Sequence, residues 1–281
     1  VKISVYGSTG FIGKHFIKMF SEDCISIPKQ DNKPKSNNIL YFISTVDNYN
    51  VYTDPYLDVN TNLIKLIEIL EECKKLKDLG EDVTFNFISS WFVYGKTNDL
   101  PANENSVCNP TGIYSITKYA AERLLVSYCN TFNLKYRILR LTNIIGNGDT
   151  KISKKKNALQ FMLNALHKNE PIKLYNGGSS IRDYMDVYDC ARAIKVCLDN
   201  APINEIINIS NCEPKTIGDI VYYAKDKLNS KSIIESIPTP EFHKIVQIDN
   251  MWLDNTKLLS YGYTQQITVD DSVDSIIKDL K

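Results

Sequence analysis

The sequence has no surplus charge of either sign: 33 Lys plus Arg stand against 33 Asp plus Glu in 281 residues. No global positive field therefore exists to gather nucleic acid or an anionic membrane surface, and any basic site must be local. No apolar run approaches the roughly 20 residues that cross a bilayer. The chain opens on a strand-like segment, Val1 to Tyr6, rather than on a charged and then apolar leader. A cytoplasmic protein with neither nucleic acid nor membrane as partner is expected. Histidine is scarce, at His15, His167 and His243, and the seven cysteines (Cys24, Cys73, Cys108, Cys129, Cys190, Cys197, Cys212) include no CxxC pair. That combination predicts no metal and points to reduced, structural thiols. Repeats and low-complexity tracts are also missing, which removes solenoids and fibrous chains.

What is present is alternation. The chain is 43% hydrophobic, enough for a sizeable core. Short runs rich in Val, Ile, Phe and Tyr (2–6, 24–27, 39–44, 84–89, 136–141 and 206–209) are separated by stretches of helical period. Residues 60–73 place Leu63, Leu66, Ile67 and Leu70 on one face, and residues 115–129 carry Tyr119, Leu124, Leu125 and Tyr128. The pattern predicts βα units: an α/β fold whose parallel sheet is covered on both sides. From about Gly146 the character changes to a GNGD turn, a Lys-rich segment (Lys151, Lys154, Lys155, Lys156), a helical stretch over 158–167 and a Pro-punctuated final third. We read 1–148 as a dinucleotide-binding domain to which 181–210 returns, and 149–281 as mainly a smaller, interleaved C-terminal lobe.

The first strand runs into Gly7, Ser8, Thr9, Gly10, Phe11, Ile12 and Gly13 and then into a helix-compatible stretch. Glycines there permit a tight turn, close approach to a pyrophosphate and close helix–strand packing, while the helix N-terminus offers unpaired N–H groups. A plain glycine turn is the alternative. Further on, Tyr114 and Lys118 form a YxxxK at the start of a helix, one turn apart on one face. A phenol with a pKa of ~10 is a poor base at neutral pH, and an ammonium beside it would stabilise the phenolate. Chance placement on an amphipathic helix is the alternative.

The GxxGxxG spacing, the YxxxK and the segment Ser89, Ser90, Trp91, Phe92, Val93, Tyr94, Gly95 together resemble the extended branch of the short-chain dehydrogenase/reductase superfamily, in particular its nucleotide-sugar epimerases. The resemblance extends over nearly the whole chain, through Arg140–Asn143–Gly146 and Arg182–Asp183–Tyr184 to residues 253–263. It implies a Rossmann-type doubly wound parallel sheet with a substrate-binding lobe, and an NAD or NADP cofactor held by Gly7, Thr9, Gly10, Phe11, Ile12, Gly13, Ser44, Thr45, Asn60, Tyr114 and Lys118. It also implies a nucleotide-diphosphate sugar held by Ser90, Asn143, Ala158, Leu159 and Arg182, and a homodimer through the Asn60 and Ser115 helices. Catalysis would fall to Ser90, Tyr114 and Lys118, with Ser89 the competitor for Ser90. The Lys151–Lys156 cluster is either a solvated charge run or a source of one lysine for the diphosphate.

Two departures bear on activity. Sugar-nucleotide dehydratases carry an acid–base pair where this chain has Trp91 and Phe92, which disfavours elimination of water. In addition, only about ten residues join the second and third strands, too few for the usual helix–strand–helix. Asp31 would accept a ribose 2′-hydroxyl and favour NAD, whereas Lys29, Lys33 or Lys35 would favour a 2′-phosphate. A 4-epimerase leads, with a 4-ketoreductase using NADPH as runner-up and a non-catalytic dinucleotide sensor as the third reading. Trp91 and Phe92 either narrow the pocket or pack in the core.

Overall fold

The computed structural model describes residues 2–46, 48–149 and 158–280. The chain begins with β1 (Ile3–Tyr6), α1 (Phe11–Met19), β2 (Cys24–Ser26) and β3 (Asn38–Tyr41). A 3-10 turn (Asn48–Tyr52), α2 (Leu57–Val59) and a π turn (Asn60–Ile64) lead into α3 (Lys65–Asp78) and β4 (Thr84–Ser90). Then come a 3-10 turn (Trp91–Tyr94), α4 (Ile113–Phe132), β5 (Lys135–Leu141) and β6 (Asn143–Ile145). They are followed by α5 (Ala158–His167), β7 (Ile172–Tyr175), β8 (Ile181–Asp186), α6 (Val187–Asn200) and β9 (Glu205–Ile209). The remainder is β10 (Pro214–Thr216), α7 (Ile217–Leu228), β11 (Ile234–Ile237), α8 (Glu241–Val246), α9 (Thr256–Ser260) and α10 (Val269–Leu280).

The six apolar runs form one sheet in the order β2-β1-β3-β4-β5-β9, every neighbouring pair parallel. The doubly wound α/β architecture is therefore present. Such strands are buried on both sides, which is why they read as continuous apolar runs rather than as alternation. Phe16 of α1 and Cys190, Ala193, Ile194 and Cys197 of α6 cover Val5, Leu40, Leu139 and Ile207 on one side. Leu66, Ile69, Leu70 and Cys73 of α3 and Ala121, Leu125 and Cys129 of α4 cover Tyr41, Phe85, Phe87 and Ile138 on the other. The buried stripe of α3 is rotated from the expected one, leaving Leu63 and Ile67 half-buried.

Strand order reverses between β1 and β3, so the connections leaving their C-terminal ends diverge and open a crevice. Residues 27–37 join β2 to β3 with no helix or strand. They are pinned back on β1, with Tyr6 Oη donating to Asn32 O at 2.7 Å and Lys35 N to Ser4 Oγ at 2.8 Å.

A second core gathers α5, α7 and α10 around β7 and β11, with Leu163, Leu166, Leu174, Val221, Val273 and Ile277 at its centre. The segment after α8 crosses back to the end of β4, where Ile248, Met251 and Leu253 pack on Trp91, Val93, Tyr94 and Ala102. Leu258 and Tyr263 lie instead in the core of the main sheet. Among the described residues, no helix is long and apolar enough to cross a membrane.

All seven cysteines are free; Cys73, Cys129, Cys190 and Cys197 are buried, and Cys24, Cys108 and Cys212 are half-buried. Burial pushes every one of these thiols up, Cys24 to about 11. Titration of the native protein with a thiol reagent at pH 8 should therefore label no more than those three, slowly, and all seven after unfolding. A fourth reactive thiol in the native state would contradict this packing.

Candidate active site

One cavity of about 520 Å³ runs along the C-terminal ends of the central strands. Gly7, Gly10, Phe11, Ile12 and Gly13 line one end, Ser44, Thr45, Ser90, Tyr114 and Lys118 the middle, and Asn143, Ala158, Leu159 and Arg182 the other end.

Helix α1 starts at Gly10 without a side-chain cap, so its first N–H groups are left for a ligand. Gly7 has φ +74°, and a Cβ on Gly13 would sit 2.5 Å from Gly7 O. The loop thus has the bare, tightly folded backbone that a dinucleotide pyrophosphate requires. Thr9, however, is exposed and does not line the cavity, because the turn points its side chain outward.

Tyr114 and Lys118 occupy successive turns of α4, and both are buried against β4. Gly112 leaves α4 without a side-chain cap of its own; Asn48 Oδ1 supplies one by accepting from Tyr114 N at 3.2 Å. A Cβ on Gly112 would collide with that amide. Burial pushes the Tyr114 phenol up, and hydrogen bonds with Ser90 and Ser44 oppose it. Lys118 lies one turn further along the same helix face. Its ammonium lies 2.6 Å from Ile88 O and 4.3 Å from the centre of the Phe87 ring, and burial pushes it down to about 7. Ser89 is committed elsewhere, donating to Glu122 Oε1, so Ser90 is the hydroxyl that meets Tyr114.

On the far wall, Asn143 Nδ2 donates to Asp183 O at 2.9 Å. Arg182 is buried, with Nη1 donating to Ile181 O at 2.9 Å and Asp249 O at 2.6 Å. Its other two nitrogens make no hydrogen bond among the described residues. Trp91 stacks on Phe92 at 4.0 Å, Phe92 meets the Tyr114 ring edge-on at 5.9 Å, and Arg182 lies 5.5 Å from the Trp91 ring. The two aromatics do both things asked of them: they line the cavity and belong to the cluster beneath it.

Residues 38–210, more than half of the chain, match the NAD dependent epimerase/dehydratase family. The chain belongs to this family. A Methanocaldococcus jannaschii protein provisionally named UDP-glucose 4-epimerase is 23% identical, over 99% of this chain and 98% of that one. The Escherichia coli dTDP-4-dehydro-6-deoxyglucose reductase is 26% identical, over 99% and 97%. A crystal structure of UDP-glucose 4-epimerase from Thermotoga maritima with UDP-glucose superposes with a TM-score of 0.87 at 20% identity, over 99% of this chain and 98% of that one, which establishes the shared fold.

Within this family member three further expected positions lie outside the cavity. Asn60 is exposed and does not reach the cavity. Asn62 is the buried asparagine: its Oδ1 accepts from Ser44 Oγ at 3.1 Å and Thr45 N at 3.0 Å, and its Nδ2 donates to the hydroxyls of Thr45 (2.9 Å) and Thr117 (3.0 Å). The signal was available, since Asn62 shares a helical face with Leu66, Ile69 and Cys73 while Asn60 does not. Neither Asp31 nor Lys29 lines the cavity. Asp31 accepts from Lys33 N at 2.9 Å and pairs with Lys35 at 3.0 Å, so the short loop satisfies its own carboxylate. Lys29 is exposed. At the end of β2 Ser26 shares a 2.6 Å hydrogen bond with Ser8.

Lys151, Lys154, Lys155 and Lys156 lie outside the described residues. Tyr49, His243 and Gln247 line the cavity without any signal in the sequence pattern, and Tyr49 Oη and His243 Nε2 are 2.5 Å apart.

Replacing Asn62 by Leu leaves the Thr45 N–H without its acceptor and removes one hydrogen bond from each of the Ser44, Thr45 and Thr117 hydroxyls, and should cost about 1–3 kcal/mol of stability and weaken dinucleotide binding. Asn60→Ala should change neither. Thermal unfolding and dinucleotide titration of the two variants check this, and the opposite ranking would refute the placement.

Proposed function

We propose that this chain is a nucleotide-sugar 4-epimerase. One observation carries the reading: a single continuous cavity joins the bare glycine turn to the buried guanidinium of Arg182, with the Ser90, Ser44 and Tyr114 hydroxyls gathered between them. A dinucleotide phosphate suits one end and a sugar-nucleotide diphosphate the other, which puts the sugar beside the hydroxyls. The family's NAD, when bound, supplies an acceptor and donor for hydride. Tyr114 Oη, as phenolate, takes the proton from the reacting sugar hydroxyl and later returns it. Ser90 Oγ donates to the oxygen as charge develops on it. Lys118 binds the cofactor ribose, and Gly7, Gly10, Phe11, Ile12 and Gly13 hold the pyrophosphate with Ser44 and Thr45 beside it. Asn143, Ala158, Leu159 and Arg182 hold the sugar nucleotide. Trp91 and Phe92 cannot act as an acid–base pair, so the site is not built for dehydration.

On this reading 1–148 with 181–210 serve the dinucleotide, and 149–281 is mainly the interleaved substrate lobe. Exposed Leu57, Ile64 and Ile116 on the α2–α3 and α4 surface support a homodimer through those helices. Reduced thiols and a nucleotide-sugar substrate suit the cytoplasm.

The packing of Phe92 against Tyr114 favours one second reading, a 4-ketoreductase. A keto sugar must turn over between the two half-reactions of an epimerase, and aromatics beside the reacting hydroxyls restrict that turn.

Tyr114→Phe should lower kcat by about 10²–10⁴ while leaving dinucleotide affinity nearly unchanged; a variant retaining most of the parent rate would remove Tyr114 from the mechanism. With catalytic amounts of NAD, the enzyme should interconvert two sugar nucleotides with no net change at the reduced-nicotinamide absorbance band. Consumption of NADPH one for one with a 4-keto-6-deoxy sugar nucleotide, without epimerisation of UDP-glucose or UDP-N-acetylglucosamine, would instead establish the reductase.

A further inference from the structure

Tyr114, Lys118 and Glu122 lie on successive turns of α4, all three on its buried face. Glu122 takes part in neither expected motif, yet it is as deeply placed as the other two. Its Oε1 accepts from Arg140 Nε at 3.0 Å and from Ser89 Oγ, and its Oε2 from Arg140 Nη2 at 2.7 Å. The two charged side chains are 2% and 3% exposed. Arg140 also lies 4.8 Å from the centre of the Tyr94 ring, and its Nη1 makes no hydrogen bond among the described residues.

A buried ion pair is an expensive way to fill space, since an apolar pair of similar volume is often as stable or more so. What an apolar pair lacks is a charge next to Lys118. Lys118 is faced by Tyr114 and Glu122 from its own helix, and by the Ile88 carbonyl and the Phe87 ring from β4. Glu122, one turn further along the same buried helix face, is the charged group that opposes the effect of burial on Lys118.

We infer that Glu122 is a positioning residue for the proton transfer proposed above: its carboxylate, clamped by Arg140, is the counter-charge behind the Lys118 ammonium and, through Ser89, a tether for the strand end that presents Ser90. The inference rests on that reading for its kinetic consequence and on the buried cluster for its electrostatic one. The sign follows from the surroundings. Burial alone drives Lys118 toward the neutral amine, and the carboxylate opposes this. Removing the negative charge leaves burial unopposed, so the ammonium is lost at lower pH.

The test is a pH titration of the Lys118 side chain by NMR in protein carrying ¹³C at the lysine ε position, with the resonance assigned by its loss in Lys118→Arg. In Glu122→Gln the midpoint should fall by about one pH unit or more. The double variant Glu122→Gln/Arg140→Gln leaves no unpaired guanidinium and serves if the single variant does not fold; its midpoint should also lie below the parent's. In turnover, where the Lys118 ammonium would stabilise the Tyr114 phenolate one turn away, kcat at pH 8 should fall about tenfold in either variant, less at pH 6, with KM for the sugar nucleotide within about twofold. An unmoved midpoint, a double variant that recovers the parent midpoint, or a rate loss equal at every pH would overturn the inference and leave Glu122 a structural ion pair. A parent enzyme that turns over no nucleotide sugar would remove the proposed function, while the Lys118 resonance would still decide this point.

Discussion

The burial of one face of α4 against the end of β4 governs the site. That contact removes a phenol and an ammonium from water together, and both ionised forms lose hydration in the process. Around the phenol, the Ser90 and Ser44 hydroxyls recover part of the cost; around the ammonium, the Ile88 carbonyl, the Phe87 ring and the Glu122 carboxylate do. Different neighbours thus offset burial for each of the two groups. A helix placed one residue out of register would break both sets of contacts together.

The reversal of strand order at β1 and β3 sets where that face can be used. Strand ends diverge there, the uncapped start of α1 opens into the gap, and Asn62 ties the end of β3 to α4 through Thr45 and Thr117. This frame survives the loss of the helix–strand–helix that would follow β2, because residues 27–37 anchor on β1 instead, through Ile27, Asn32, Lys35 and Ser36. At the end of β2 the hydroxyls of Ser8 and Ser26 are paired with each other. The substrate side has a separate support: the segment 248–253 crosses from the second lobe to pack beneath Trp91, and Asp249 fixes one nitrogen of Arg182. The geometry between the hydroxyls and the guanidinium therefore depends on both cores.

Much of this was legible in the residues. Apolar runs marked the six strands of the main sheet, because strands covered on both faces carry apolar residues on both. The glycine turn and the YxxxK were readable because each works within one or two turns of chain, where spacing alone settles which side chains share a face. Asn62 was legible in principle from its face partners Leu66, Ile69 and Cys73, but the resemblance pointed to Asn60, and the stripe read from Leu63 and Ile67 lay at the edge of the true one. Asp31 was misplaced for another reason. Distance along the chain counts residues, and here the counted loop folds back to satisfy its own carboxylate.

The sequence by itself determined the α/β class, the direction of the strands, the glycine turn before the first helix and the tyrosine–lysine pair, all of them properties of local period and backbone permissiveness. Tertiary structure alone decided that Ser90 rather than Ser89 meets Tyr114, that Trp91 and Phe92 serve core and cavity at once, and that Glu122 and Arg140 are buried together behind Lys118. Neighbouring residues on a strand or turn differ only in which way they face. That direction is set by what packs against the element from distant parts of the chain, which no local pattern contains.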